Sequence, residues 1–108
     1  MTQTMEKFAL ELYIVGQSAR SLAAITNLEK ICRSRLEGRY ELCIVDVLEN
    51  PDAAETANVI ATPTLIRRSP SPVRRLIGDL SPTEVVLRAL GIEDVSAESP
   101  EGAIANDV

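Results

Sequence analysis

The side chains best able to do chemistry in this 108-residue sequence are two cysteines, Cys32 and Cys43, and a knot of four arginines, Arg67, Arg68, Arg74 and Arg75. A cysteine acts as nucleophile, redox centre or metal ligand through its thiolate, which needs a CxxC pair, a helix N-terminus or a neighbouring cation to form readily. Ten residues separate these two, in apolar surroundings, so both read as packing residues. The absence of histidine removes Ser-His triads, the usual general base and the commonest zinc ligand together. The five glycines, Gly16, Gly38, Gly78, Gly91 and Gly102, stand singly, and none belongs to a GxGxxG or GxxxxGKS/T phosphate loop. The adjacent carboxylates Glu93 and Asp94 fall in an acidic run where solvated charge explains them. The expectation is a protein without catalytic machinery, cofactor or metal.

The arginines gather four of the eleven basic residues into nine positions of a chain whose formal charge is -5. Two readings stand side by side: a site for an acidic partner, or a guard against edge-to-edge pairing of an exposed strand. The acidic balance argues against general nucleic-acid binding, which draws its affinity from clustered Lys and Arg that release counterions.

These residues have to be positioned by a single domain, because compact domains rarely split at this length. With 45% hydrophobic residues and only 3% aromatic, the core must be built from Leu, Ile, Val and Ala. No apolar run approaches the roughly 18–20 residues that span a bilayer, and Met1 to Lys7 is polar with no hydrophobic stretch. A cytoplasmic location with no membrane partner is therefore expected.

Phe8 to Val15 alternates and then becomes apolar on both faces, as an interior strand does. From Ser18 the apolar residues Leu22, Ile25, Leu28, Ile31, Cys32 and Leu36 recur at three- and four-residue spacing, predicting a long amphipathic helix that ends at Gly38, with Ser18 or Ser21 as N-cap. Tyr40 to Val47 predicts a second strand, parallel to the first because a helix connects them. Asn50-Pro51 then supplies a cap and a first-turn proline for a short helix. A third strand is expected over Ile60 to Ile66, with Pro63 near its start, and a connection over Arg67 to Pro72 too short for anything but a hairpin to a fourth strand, Val73 to Ile77. Ser81-Pro82-Thr83-Glu84 reads as a capping box opening the final helix.

From Ile92 onward there are five carboxylates and no Lys or Arg, which predicts a disordered acidic tail. The organisation expected is a lead-in over 1–7, a domain over 8–91 and the tail over 92–108. The order βαβαββα is that of an α/β, thioredoxin-like domain. Where such an oxidoreductase would place its thiol, the chain reads Gly16-Gln17-Ser18-Ala19-Arg20, without cysteine, so only the scaffold is expected to persist.

Four segments in order, Leu12-Tyr13-Ile14-Val15-Gly16, Ile44 to Pro51, Ala61-Thr62-Pro63-Thr64-Leu65 and Pro72 to Ser81, resemble the signature segments of the KaiB family of circadian clock proteins. The resemblance runs from about Phe8 to Leu90. It implies a non-catalytic protein that binds the N-terminal lobes of a KaiC-type ATPase ring and shifts its phosphorylation cycle, in competition with a SasA-like histidine kinase. It also implies two interconvertible folds, a ground-state α+β form that assembles as a tetramer or dimer, and a monomeric thioredoxin-like form. By resemblance, Arg67, Arg74 and Arg75 are partner-binding residues, Pro63 is a proline that is cis in the thioredoxin-like form, and Pro70 and Pro72 make a rigid turn. Gln17 to Arg20 and Tyr40 to Cys43 are further docking surface. Departures occur at Cys43 and Ala23, where the family carries basic residues, which weighs against contact with KaiA. A third departure is Ala89-Leu90-Gly91, where the family carries Gly-Leu-Asp. Alanine favours helix over glycine by about 1 kcal/mol, which should bias this chain toward the thioredoxin-like form. The alternative reading is a thioredoxin-fold adaptor for another signalling partner, such as a histidine kinase outside a circadian oscillator.

Overall fold

The computed structural model describes residues 7–92. In chain order the elements are β1 (Phe8–Ile14), α1 (Ala19–Arg35), β2 (Tyr40–Asp46), α2 (Pro51–Thr56), β3 (Thr64–Ser69), β4 (Arg74–Ile77) and α3 (Thr83–Leu90). They form one four-stranded sheet in the order β2-β1-β3-β4, with β1 parallel to β2 and antiparallel to β3, and β3 antiparallel to β4. This is the thioredoxin-like arrangement of the two that the resemblance implied. The acidic run over 93–108 and the lead-in before Lys7 lie outside the described residues.

The sheet has two unequal faces because side chains alternate along each strand. Phe8, Leu10, Leu12 and Ile14 of β1 and Leu65 of β3 face α1 and α3, where they bury against Ala24, Leu28, Ile31, Cys32, Leu36, Val86, Leu87 and Leu90. The opposite face has only the six-residue α2, which covers Tyr13 and Ile66 through Ala53, Ala54 and Ala57. Beyond its reach, Cys43 and Arg68 stay exposed.

Of the two N-caps expected for α1, Ser18 serves, its side chain accepting the N–H of Ser21. Several other details differ from those expected. The buried stripe of α1 keeps the expected Leu28, Ile31, Cys32 and Leu36, but in the first turns Ser21 and Ala24 are buried in place of Leu22 and Ile25, so that Leu22 is exposed and Ile25 half-buried. Asn50 holds the N-cap position of α2 without making the capping hydrogen bond. Ser81 does not cap α3: its N–H is taken by the Asp79 carboxylate at 3.0 Å, and Pro82 occupies the N-cap with no side-chain bond. That carboxylate is held below its usual range, chiefly by the Ser81 hydroxyl and then by the Ser81 N–H. Ile92 packs half-buried against the core, and its N–H donates to Leu87 O at 2.9 Å, closing the last turn of α3.

Cys32 is buried in the main core as expected, and burial, then the Glu29 carboxylate, pushes its thiol up to about 11. Cys43 corrects the packing assignment. Strand β2 is an edge, and Cys43 lies on its sparsely covered face.

Candidate functional site

Strand β3 runs three residues further than predicted, through Arg67, Arg68 and Ser69, because its ladder continues on both sides, to Leu10 of β1 and to Arg74 of β4. The predicted connection therefore shrinks to Pro70 through Val73, and the four arginines are fixed on two adjacent strands. Alternation then divides them. Arg67 and Arg74 are directly paired and share the face of α3, while Arg68 and Arg75 point to the face of α2.

Arg67 is not surface in this arrangement: it is 4% exposed. Its Nη1 donates to Leu90 O at 2.5 Å and its Nη2 to Pro72 O at 2.6 Å. It thus ties the C-terminus of α3 to the β3–β4 turn, satisfying a carbonyl that the helix cannot satisfy itself. Gly91 completes the fit. It takes the left-handed φ of 75° that ends the helix, and a Cβ there would lie 2.9 Å from Arg67 Nη1. Partner contact at Arg67, expected from resemblance, would need this clamp to open.

Arg68 pairs with Glu11 at 3.0 Å, and the same carboxylate oxygen accepts the hydroxyl of Tyr13 at 3.0 Å. The hydrogen bond to Glu11 raises the Arg68 pKa, while burial, reinforced by Glu11, raises that of Tyr13. Arg75 is exposed, yet its guanidinium donates to the carbonyls of Ala57 and Asn58 where α2 ends. Arg74 is exposed and makes no hydrogen bond or ion pair among the described residues. Of the three arginines expected to bind a partner, the edge strand β4 presents two, one toward each side of the sheet.

The second feature lies at the end of the sheet where β1, β2 and β4 finish and β3 begins. The Thr62-Pro63 bond there is cis, as the resemblance implied. The loop where a thioredoxin carries its thiols is held instead by side chains: Gly16 N–H and Leu48 N–H donate to Asp46 Oδ1 at 3.1 and 3.0 Å, and Val15 N–H donates to Ser21 Oγ at 3.0 Å. Gln17 and Ser18 of this loop and Ala19 and Arg20 at the start of α1 are exposed. At this end of the sheet three large apolar side chains form an exposed rim spread across its width, Leu48 beyond edge strand β2, Ile60 before β3 and Ile77 at the end of the opposite edge strand β4, exposed by 68%, 89% and 56%. Ile60, expected at the start of β3, lies instead in the segment before Pro63 and lines a shallow groove together with Val47, Pro51, Ala54, Val59 and Thr62. An arginine pair on an edge strand and an apolar rim at the strand ends make a surface suited to protein contact. Among the described residues no cluster of three metal-ligating side chains occurs, and no helix is long and apolar enough to cross a membrane.

The KaiB domain model matches residues 11–92. The chain is 46% identical over 99 residues to the circadian clock protein KaiB3 of Synechocystis sp., covering 90% of this chain and 97% of that protein. It is 39% identical over 107 residues to the circadian clock oscillator protein KaiB of Prochlorococcus marinus, covering 93% and 92%. Among solved structures, the N-terminal domain of Synechococcus elongatus SasA superposes with a TM-score of 0.64 at 17% identity, covering 82% of this chain and 84% of that one. Mitochondrial thioredoxin 3 of Saccharomyces cerevisiae gives 0.65 at 18%, covering 82% and 81%. These two likenesses establish the fold as thioredoxin-like.

Proposed function

The chain belongs to the KaiB family, and we propose that it acts as a non-catalytic regulator in a clock-type system, docking on the N-terminal lobes of a KaiC-type ATPase ring and modulating its phosphorylation cycle. The observation that carries this reading is the β4 edge, where Arg74 and Arg75 remain exposed on a domain with no histidine and no thiol in the loop after β1. Arginines placed this way serve as interface anchors, since a planar guanidinium can hold a carboxylate through two parallel bonds. The apolar rim of Leu48, Ile60 and Ile77 supplies the desolvated contact that charge alone does not.

A thioredoxin-like scaffold shared with the SasA N-terminal domain supports competition between this chain and a SasA-like histidine kinase for one surface of the ring. Cys43 and Ala23, in place of basic residues, weigh against a role for KaiA. Size-exclusion chromatography with light scattering tests the reading. Mixed with a KaiC-type ring and ATP, the chain should co-elute with the ring; failure to co-elute with any KaiC-type ATPase would overturn the assignment.

A further inference from the structure

Charge is divided unevenly along this chain. Residues 7–92 hold all eleven Lys and Arg against ten Asp and Glu, a formal +1, whereas residues 93–108 hold five carboxylates, Glu93, Asp94, Glu98, Glu101 and Asp107, with no basic residue. The acidic segment is attached at a defined place. Leu90 O lies 2.5 Å from Arg67 Nη1, and Arg67 is the direct cross-strand partner of Arg74. The chain therefore leaves α3 beside the β4 edge. Glu93 and Asp94 follow Leu90 by three and four residues, a span of at most about 10–14 Å. Arg88, in the last turn of α3, is exposed at the same end.

We propose that the acidic segment 93–108 docks on its own domain along the β4 edge, its carboxylates meeting Arg74 and Arg88, and so covers the surface through which the chain meets its acidic partner. The second half of this statement rests on the function proposed above; the docking itself does not. Tethering sets the effective concentration of the segment in the millimolar range, so individually weak exposed ion pairs can hold it there part of the time and still be displaced by a tighter partner. A second basic surface fits less well. It is a shallow groove on α1 lined by Lys30, Arg33 and Arg35, and it reaches Thr83, at the opposite end of α3 from the attachment point. Arg33 already pairs with Glu29, and the chain after Leu90 would have to turn back along the helix to reach it. A segment docked on β4 also shields an open strand edge, which otherwise offers unpaired backbone groups to other chains.

The test uses the full chain with Cys43→Ser and Ser99→Cys, a nitroxide on the new thiol, and NMR line broadening of backbone amides. Cys32 is fully buried and stays unlabelled. The expected result is broadening centred on Arg74 to Leu76 and the last turn of α3. It should diminish severalfold in about 1 M salt, where the Debye length falls to about 3 Å, and in the quadruple variant Glu93→Gln, Asp94→Asn, Glu98→Gln, Glu101→Gln. Broadening centred on Lys30 to Arg35, or broadening at β4 unchanged by salt and by the quadruple variant, would overturn the docking. Because the readout contains no partner, it stands apart from the ring-binding experiment. If both hold, the quadruple variant should bind a KaiC-type ring more tightly than the parent.

Discussion

Replacing Arg67 with alanine should destabilise the fold by about 3 kcal/mol. The guanidinium makes two hydrogen bonds to backbone carbonyls, at 2.5 Å to Leu90 and 2.6 Å to Pro72, in a site 4% exposed. Hydrogen bonds from a charged group contribute about 1.5–3 kcal/mol each, and their loss leaves two carbonyls without these donors. Against that, the variant no longer withdraws a cation from water, a penalty of several kcal/mol per buried ion, which pulls the net toward the low end of the sum. In a domain of about 60–100 residues each kcal/mol moves Tm by about 4–8 °C, so a fall on the order of 15 °C is expected. Urea denaturation followed by circular dichroism reads the effect. Arg74→Ala is the internal comparison: Arg74 is exposed and tied to nothing among the described residues, so its loss should stay within about 0.5 kcal/mol. The reasoning fails if Arg67→Ala is as mild as a surface substitution, or if Arg74→Ala costs as much as Arg67→Ala.

Other outcomes follow from the same geometry. A thiol reagent should label Cys43 in the native protein and Cys32 only on unfolding, and labelling in the reverse order would contradict the placement of both. Because the Cys32 thiol is raised from 9.0 to about 11 in the folded protein, its contribution to stability is whole below pH 9.0 and lost as pH climbs through about 11. The urea midpoint should accordingly fall across that window more steeply for the parent than for Cys32→Ala. Ala89→Gly should lower the stability of this arrangement by about 1 kcal/mol, read from the same denaturation curves. Ser18→Ala removes the acceptor that caps α1 and should cost about 1 kcal/mol, with Ser18→Asp recovering most of it.

The element order was legible because each element announces its period: β1 alternates, α1 repeats every three to four residues, and a proline or glycine marks most joints. What escaped the sequence depends on which element covers which face. Arg67 read as the start of a turn, although its spacing of two from Leu65 puts it on the inward face and Gly91 follows the helix whose end it clamps. Either signal could have flagged a buried arginine. Cys43 read as core because its neighbours are apolar, but the short α2 covers β2 at Val45 and does not reach Cys43. The four-arginine knot looked like one patch in the chain, whereas pleating splits it into a clamp, an ion pair and two exposed residues that face opposite sides of an edge. The exposure of Leu48, Ile60 and Ile77 gave no local signal, since they come from three separate segments that the strand order alone brings to one end of the sheet.

The most direct measurement of the proposed function is the affinity of a KaiC-type ring for this chain, for the double variant Arg74→Glu/Arg75→Glu, and for a control, Lys30→Glu/Arg33→Glu, in which the α1 groove is reversed instead. Circular dichroism first establishes that each variant keeps the fold, because Arg75 also holds the end of α2. The β4 edge as docking surface predicts binding weakened at least tenfold by the first pair and unchanged by the second. Equal binding by all three proteins, or loss confined to the α1 variant, would contradict it.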